Sequence, residues 1–505
     1  MTLNKKSIRL WPLFIIVSLT ILAIGFVWSL DAGHRADKVA LTVLILIITV
    51  FLGIVWLLCL SRLAWRVRFL SLGVIPLSIV AFATLFRFNG FSGDLVPKFE
   101  WRWRAEPESF VALAEKQPPQ AAELQTDFPQ FLGPDRNAII TSIKLNTDWK
   151  NNPPELVWKQ PIGAGWSGFA VVGNSAITQE QEDEWEKVVC YDFFTGKEKW
   201  AHRDKARYYT ALGQLGPRAT PTIDGDHVYT VGATGILNCL DFETGKQVWS
   251  TNIFEENGAE APPWGVSISP LVFDELVIVS AGGAVAYDKG TGDIAWTGHR
   301  HRSGYSSPVL TTLAGTEQVV LFNNGLVTSH EPTTGELLWK QPWPVVECAA
   351  QPTPLPGDKL LVSTAYGVGA KLFQISRSNP SQEFNVNLLW ESIRFKAKFT
   401  TIIYYEGYLY GLDDGIFACI NPADGTRQWK RGRYGHGQTL LISDILLVLT
   451  ESGEVVLLEP NPEAHKELAR FTVLDGQTWN NPTLVENYLL VRNSREAACY
   501  WLPTK

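Results

Sequence analysis

Eight short stretches of this 505-residue chain stand just before apolar, β-rich runs, and each holds groups able to recognise something. They read GWSG (165–168), GPRAT (216–220), WGVS (264–267), GYSS (304–307), ECAA (347–350), KAKF (396–399), GHGQ (435–438) and TWNN (478–481). If the runs are equivalent inner strands around one axis, their first residues face a shared central funnel. One rim then gathers Trp166, Arg218, Trp264, Tyr305, Glu347, Lys398, His436, Trp479 and Asn480. Aromatic planes beside both signs of charge exceed what packing asks of a rim. They suit capture of a polypeptide, because binding energy concentrates in aromatic and Arg anchors. His436 adds little by itself, since Gly435 and Gly437 beside it also mark a tight backbone. No CxxC or Cys/His cluster has zinc spacing, and none of the set is assigned to catalysis or to a metal.

Equivalent strands require a repeat, and the sequence writes one. YDFFTGKEKW (191–200), LDFETGKQVW (240–249), YDKGTGDIAW (287–296), HEPTTGELLW (330–339) and INPADGTRQW (420–429) are one sentence in five copies. The closing aromatic falls at Trp158, Trp200, Trp249, Trp296, Trp339, Trp390 and Trp429, with Phe471 in the eighth place. Over residues 153–502 this gives eight units of roughly 44 residues, a spacing of propeller blades. Between the markers, apolar β-rich runs are separated by Gly/Asp/Asn turns, which are strand signals. In each sentence the acidic residue bonds turn N–H groups, and the glycine supplies the positive φ that closes the hairpin. The Trp is then a docking body buried between adjacent blades. Cys190, Cys239, Cys419 and Cys499 occupy one slot of successive units, which Ala286 and Ser329 fill elsewhere. That slot wants a small buried side chain, so these are packing thiols. Units five (372–390) and seven are degenerate. Trp158 lacks preceding strands and AACYWLP (497–503) lacks a following Trp strand, so the two complete one blade and close the ring.

The first 88 residues are of another kind. Three apolar stretches, about 11–30, 39–61 and 69–88, suit transmembrane helices, the third holding Pro76. Lys5, Lys6 and Arg9 precede the first, and Arg62, Arg66 and Arg68 lie between the second and third. The positive-inside rule places these basic residues in the cytoplasm and everything after Arg87 on the far side, the periplasm or exterior of a bacterium. Residues 1–88 carry +7 while the whole chain carries −7, so residues 89–505 carry −14. That sign opposes a nucleic-acid partner. Residues 89–152 read as a partly ordered linker with one short helical candidate near 108–116. Trp101 and Trp103 suit either the membrane surface or packing on the propeller.

The pattern x-Asp-x-x-Thr-Gly-(Lys)-x-x-Trp resembles the tryptophan-docking repeat of pyrroloquinoline quinone (PQQ)-type propellers. DFPQFLGPDRN (127–137) and GRYGHGQTLL (432–441) resemble segments of membrane-anchored PQQ-like proteins, a family described as similar to the outer-membrane assembly factor BamB. The resemblance implies an all-β eight-bladed propeller over 153–505 behind three helices in the bacterial inner membrane. It also implies protein or peptide segments of the envelope as partners, a non-catalytic scaffold and no cofactor. The alternative it carries is a PQQ-dependent dehydrogenase passing electrons to the membrane. Such enzymes typically hold calcium through Glu and Asn, use an Asp base and often carry a disulfide between adjacent cysteines. Here the rim offers Glu347 and Asn480 but no Asp, no two cysteines adjoin, and calcium takes about 6–8 oxygens.

Overall fold

A computed structural model of the chain describes residues 9–30, 35–103, 124–345, 347–379 and 382–505. They divide into two compact units, Met1–Glu106 and Pro107–Lys505. In the first, helices α1 (Trp11–Ser29), α2 (Arg35–Val55, extended by a wider turn Trp56–Leu60) and α3 (Trp65–Leu85) are long and apolar enough to cross a membrane. Their large side chains face outward, as lipid rather than a protein core requires. Thr20 and Thr49 join α1 to α2 through hydroxyls 2.7 Å apart, a polar tie suited to a medium without water. The expected Arg loop is shorter than the sequence implied. α3 begins at Trp65, so Arg66 and Arg68 lie on its first turn, where the Arg68 guanidinium covers the Trp65 ring. α3 continues through Pro76 and gives way at Phe86 to a hairpin, Phe86–Phe91 with Pro97–Trp101. Trp101 is half-exposed there against Phe86. The helical candidate at 108–116 lies outside the described residues.

The second unit is an eight-bladed propeller of four-stranded antiparallel blades. Blade 1 spans Ala170–Asp204, and blades 2 to 7 follow through Thr472. Blade 8 takes three strands from Thr483–Trp501 and its outer strand from Glu155–Pro161, with Cys499 opposite Trp158. N- and C-terminal segments therefore close the ring.

The register explains the small slot. Cys190, Cys239, Ala286, Ser329 and Cys419 stand directly across from Trp200, Trp249, Trp296, Trp339 and Trp429. An indole leaves its cross-strand partner little room. Most also bond to the next blade: Nε1 of Trp158, Trp200, Trp249, Trp296 and Trp390 donates to the carbonyls of Phe193, Phe242, Lys289, Pro332 and Pro422, whereas Trp339 donates to Gln318 of its own blade. A Cβ built on Gly196, Gly292 or Gly425 would come within 2.6–2.8 Å of the arriving indole. Those glycines have φ near +70° as well, so the repeat's Gly serves two needs at once. Asp192 and Asp241 hold their turns by accepting the Thr195 and Thr244 N–H groups.

Two expectations need correction. Phe471 is not the eighth docking residue. Blade 7 sets Ala469 opposite the slot residue Leu457, and Phe471 pairs with Val455 two residues further on. Phe471 instead meets the buried Trp149 edge-on, at 5.1 Å between rings. Nor does 124–152 behave as a linker. Phe128, Leu132, Ala138, Leu145 and Trp149 are buried in the propeller core, and Ile139–Ile140 adds a parallel strand beside the inner strand of blade 7. An apolar residue every few positions made this stretch too costly to leave in water.

Candidate functional site

The inner strands start at one end of the axis, which also carries the turns between second and third strands of each blade. There most of the nine rim residues are linked by ring packing and hydrogen bonds, Glu347 acting through its charge. The Trp264 ring stacks on Tyr305 at 5.4 Å and 21°. Burial pushes the Tyr305 phenol up to about 12, with the charges of Glu347 and Arg218 also acting on it. Glu347 acts on Tyr366 as well, and Lys398 lies 5.2 Å from that ring. Phe399, next in sequence, packs on His436 at 5.7 Å and on Trp479 at 5.5 Å. Trp479 leans on Trp166 at 4.8 Å, and the Trp166 N–H donates to the Pro217 carbonyl, which leads back to Arg218.

Within this circuit the groups differ in availability. Trp264, Trp479, Glu347 and Arg218 are half-buried, whereas Trp166, Tyr305, Lys398, His436 and Asn480 are buried. Arg218 is already committed. Its guanidinium lies 4.7 Å over Tyr208 and donates to the carbonyls of Gly216, Gly213 and Gln214. It therefore pins the hairpin Tyr209–Thr210 with Gln214–Leu215 above the rim. Burial draws its pKa down to about 10. Asn480 donates to the carbonyls of Gly165 and Ser167, tying blade 8 to blade 1, while its amide oxygen has no partner among the described residues. The buried Trp166 Nε1 likewise lacks one.

Sequence reasoning about inner strands missed Glu451, Tyr366 and Tyr208, which come from other loops. Glu451 accepts from Trp479 Nε1 at 3.2 Å and from the His436 N–H at 3.1 Å. It also missed a belt of hydroxyls below the rim: Gly168 N–H to Thr220, Thr220 N–H to Ser269, and Ser269 N–H to Ser307. Each link crosses to the next blade, where inner strands cannot pair directly. Its signal was a Ser or Thr recurring in one slot of successive units.

The segment 128–140 engages the inner parts of several blades. Phe128 exchanges backbone bonds with Val171 of blade 1, and Pro129 accepts from Ile223 of blade 2. Arg136 reaches farther, donating to the carbonyls of Ser269, Pro270 and Pro308 and to Gln130 Oε1. Burial draws its guanidinium down to about 9. The chain thus lays its own cationic strap across inner strands of blades 1 to 4 and 7.

A calcium-held quinone asks for a compact set of oxygen donors. Glu347 leads into blade 5 and Asn480 into blade 8, three blades apart on the ring. Between them Glu347 and Asn480 offer three side-chain oxygens, short of the about 6–8 that calcium takes, although the Asn480 amide oxygen has no partner among the described residues.

Blades docked by Trp on a turn glycine, closed by both chain ends, define a class: eight-bladed propellers of the PQQ-repeat type. The chain belongs to the family described as outer membrane protein assembly factor BamB, whose model matches residues 186–431 and, overlapping, 323–488. It is 23% identical over 348 residues to outer membrane protein assembly factor BamB of Moranella endobia (strain PCIT), covering 63% of this chain and 83% of that protein. It is 32% identical over 123 residues to quinohemoprotein alcohol dehydrogenase ADH IIB of Pseudomonas putida, 22% of this chain but 17% of that enzyme. Two solved structures share the fold. BamB from Moraxella catarrhalis superposes with TM-score 0.51 at 13% identity, over 69% of this chain and 100% of that one. Quinohemoprotein alcohol dehydrogenase from Comamonas testosteroni gives 0.53 at 13%, over 77% and 82%.

Proposed function

We propose that the protein is a membrane-tethered, non-catalytic scaffold of the bacterial cell envelope. It binds protein or peptide segments at the propeller rim without a cofactor. Its helices sit in the inner membrane with the N-terminus in the cytoplasm and the propeller in the periplasm or cell exterior. One observation carries this reading: the rim is an aromatic circuit whose polar groups are largely tied to backbone. Arg218 and Glu451 are spent on structure, so Trp264 and Trp479 remain as recognition surfaces. Half-buried aromatics flanked by charges of both signs, Glu347 and Lys398 among them, suit recognition of a polypeptide segment. The family, and the relation to a BamB over most of its length, support the same reading.

A photo-crosslinker at position 264 in whole cells tests it. One envelope polypeptide captured from 264 and from 479, but not from the exposed outer position 428, is the expected result. PQQ-dependent dye reduction by the purified protein overturns it in favour of the dehydrogenase. Topology is read separately: protease added to spheroplasts removes the propeller, and survival until permeabilisation reverses the orientation.

A further inference from the structure

Blade 6 and the crossing that leads into it carry a positive surplus, opposite to the region around them. From Arg394 to Arg433 the chain holds seven basic and four acidic residues, inside a region of net −14. Three of the seven converge. Lys430 Nζ lies 2.6 Å, Lys396 Nζ 3.4 Å and Arg427 Nη1 3.7 Å from the Asp413 carboxylate, which is fully buried. The register explains the meeting. Ala418 pairs with Gly411 and Lys430, and Ile420 pairs with Arg427, so Arg427 and Lys430 share a face with Asp413. On that face Ala418 and Ile420 pack with Trp390 of blade 5. Lys396 arrives from the crossing between blades 5 and 6, its own N–H also donating to Asp413 at 3.0 Å.

One carboxylate cannot balance three cations at this range. Two positive charges remain in surplus, with Asp414 acting on Lys430 more weakly than Asp413 does. Burial lowers the Lys430 pKa, Asp413 opposes that, and Lys396 lowers it again. Neutralising a buried Asp413 needs one lysine, so the other two cations are unexplained by stability. Their hydrogen-bonding capacity is only partly spent, Lys396 Nζ donating in addition to the Ile393 carbonyl at 3.1 Å. Lys430 gives one bond, to Asp413, and an ammonium has three to give. The Arg427 side chain is 35% exposed and the lysines 17–18%, so the cluster is reachable from outside.

We propose that Lys396, Arg427 and Lys430 bind a phosphate-class oxyanion on the outer side of blade 6, its double charge matching the surplus. Paired lysines act as point charges toward phosphoryl oxygens, and Arg427 adds a fork of N–H donors. A free phosphate and a lipid phosphate monoester present the same chemistry. The cluster reaches the rim end of blade 6, where Lys396 opens the KAKF stretch, but its three cations are not among the nine rim residues and it does not depend on the scaffold reading.

The test uses the full chain in neutral detergent. Inorganic phosphate is titrated against chloride at equal ionic strength, and dihexanoyl phosphatidic acid against dihexanoyl phosphatidylcholine. Phosphate should raise the melting temperature saturably. Lys430→Gln and Arg427→Gln should each weaken that response about tenfold, while Lys430→Arg and the distant control Lys466→Gln retain it. Asp413→Asn, which removes the competing carboxylate, should tighten binding severalfold. Phosphatidic acid binding tighter than inorganic phosphate identifies the headgroup as the source, and equal or weaker binding identifies the free ion. Phosphate and phosphatidic acid responses no larger than those to chloride and phosphatidylcholine, or unchanged in the exposed Arg427→Gln variant, overturn the proposal.

Discussion

The indole of Trp200 in blade 1 lies where a Cβ on Gly245 of blade 2 would have to stand, and its Nε1 donates to the Phe242 carbonyl of the same turn. Glycine and tryptophan of successive repeats are therefore one joint. Trp200→Ala should cost about 3–5 kcal/mol, as loss of a buried aromatic does. Gly245→Ala destabilises through both the clash and a φ of +66°. In the Trp200→Ala background the clash disappears, so the double variant should fall short of additivity by about 1 kcal/mol or more. Urea unfolding of the four proteins checks this; strict additivity would dissolve the joint.

Arg136 should matter as much as any core residue. Arg136→Met strips a donor from three carbonyls leading into blades 3 and 4 and from Gln130 of the strap itself. A loss of about 3 kcal/mol or more is expected in the same titration, since unsatisfied buried groups cost about 1–3 kcal/mol each. A change under about 1 kcal/mol would mean the strap is dispensable.

Glu186 of blade 1 accepts the Ala233 N–H of blade 2 and is buried beside Asp204 and Arg218. Burial pushes its carboxyl up to about 7 from 4.5. A raised folded-state pKa means the folded protein holds the proton more tightly. The stability this contributes is full below about pH 4.5 and is lost as pH rises through 7, on the order of 3 kcal/mol in total. Glu186→Gln should flatten that part of the pH profile. An unchanged difference between the two proteins from pH 4.5 to 7.5 would refute the assignment.

At the rim the two strongest anchors separate. Trp264→Ala should weaken partner capture about tenfold with little change in melting temperature, because its stacking on Tyr305 is half-exposed. Arg218→Ala should lower the melting temperature as well, since three carbonyls lose their donor. Limited proteolysis near 209–215 would register the freed hairpin. Equal stability loss in both variants would make Trp264 structural too.

The sequence by itself determined the propeller, its number of blades, its closure by Trp158 and the three apolar helices. These rest on local patterns repeated at a fixed period: turn glycines, alternating strands, and uncharged runs long enough for a bilayer. The inner-strand starts, including Trp166 and Asn480, were legible for the same reason, because equal register implies equal position around an axis. Only the tertiary structure decided that Ala469 rather than Phe471 faces the slot, since the pairing register, and not the position of the nearest aromatic residue, sets what stands across from Leu457. It alone showed that Arg136 straps the inner strands and that Arg218 is spent on carbonyls. Arg136 is held by carbonyls more than a hundred residues away, and Arg218 by the fold of a local hairpin, and neither arrangement is recorded in residue type or spacing.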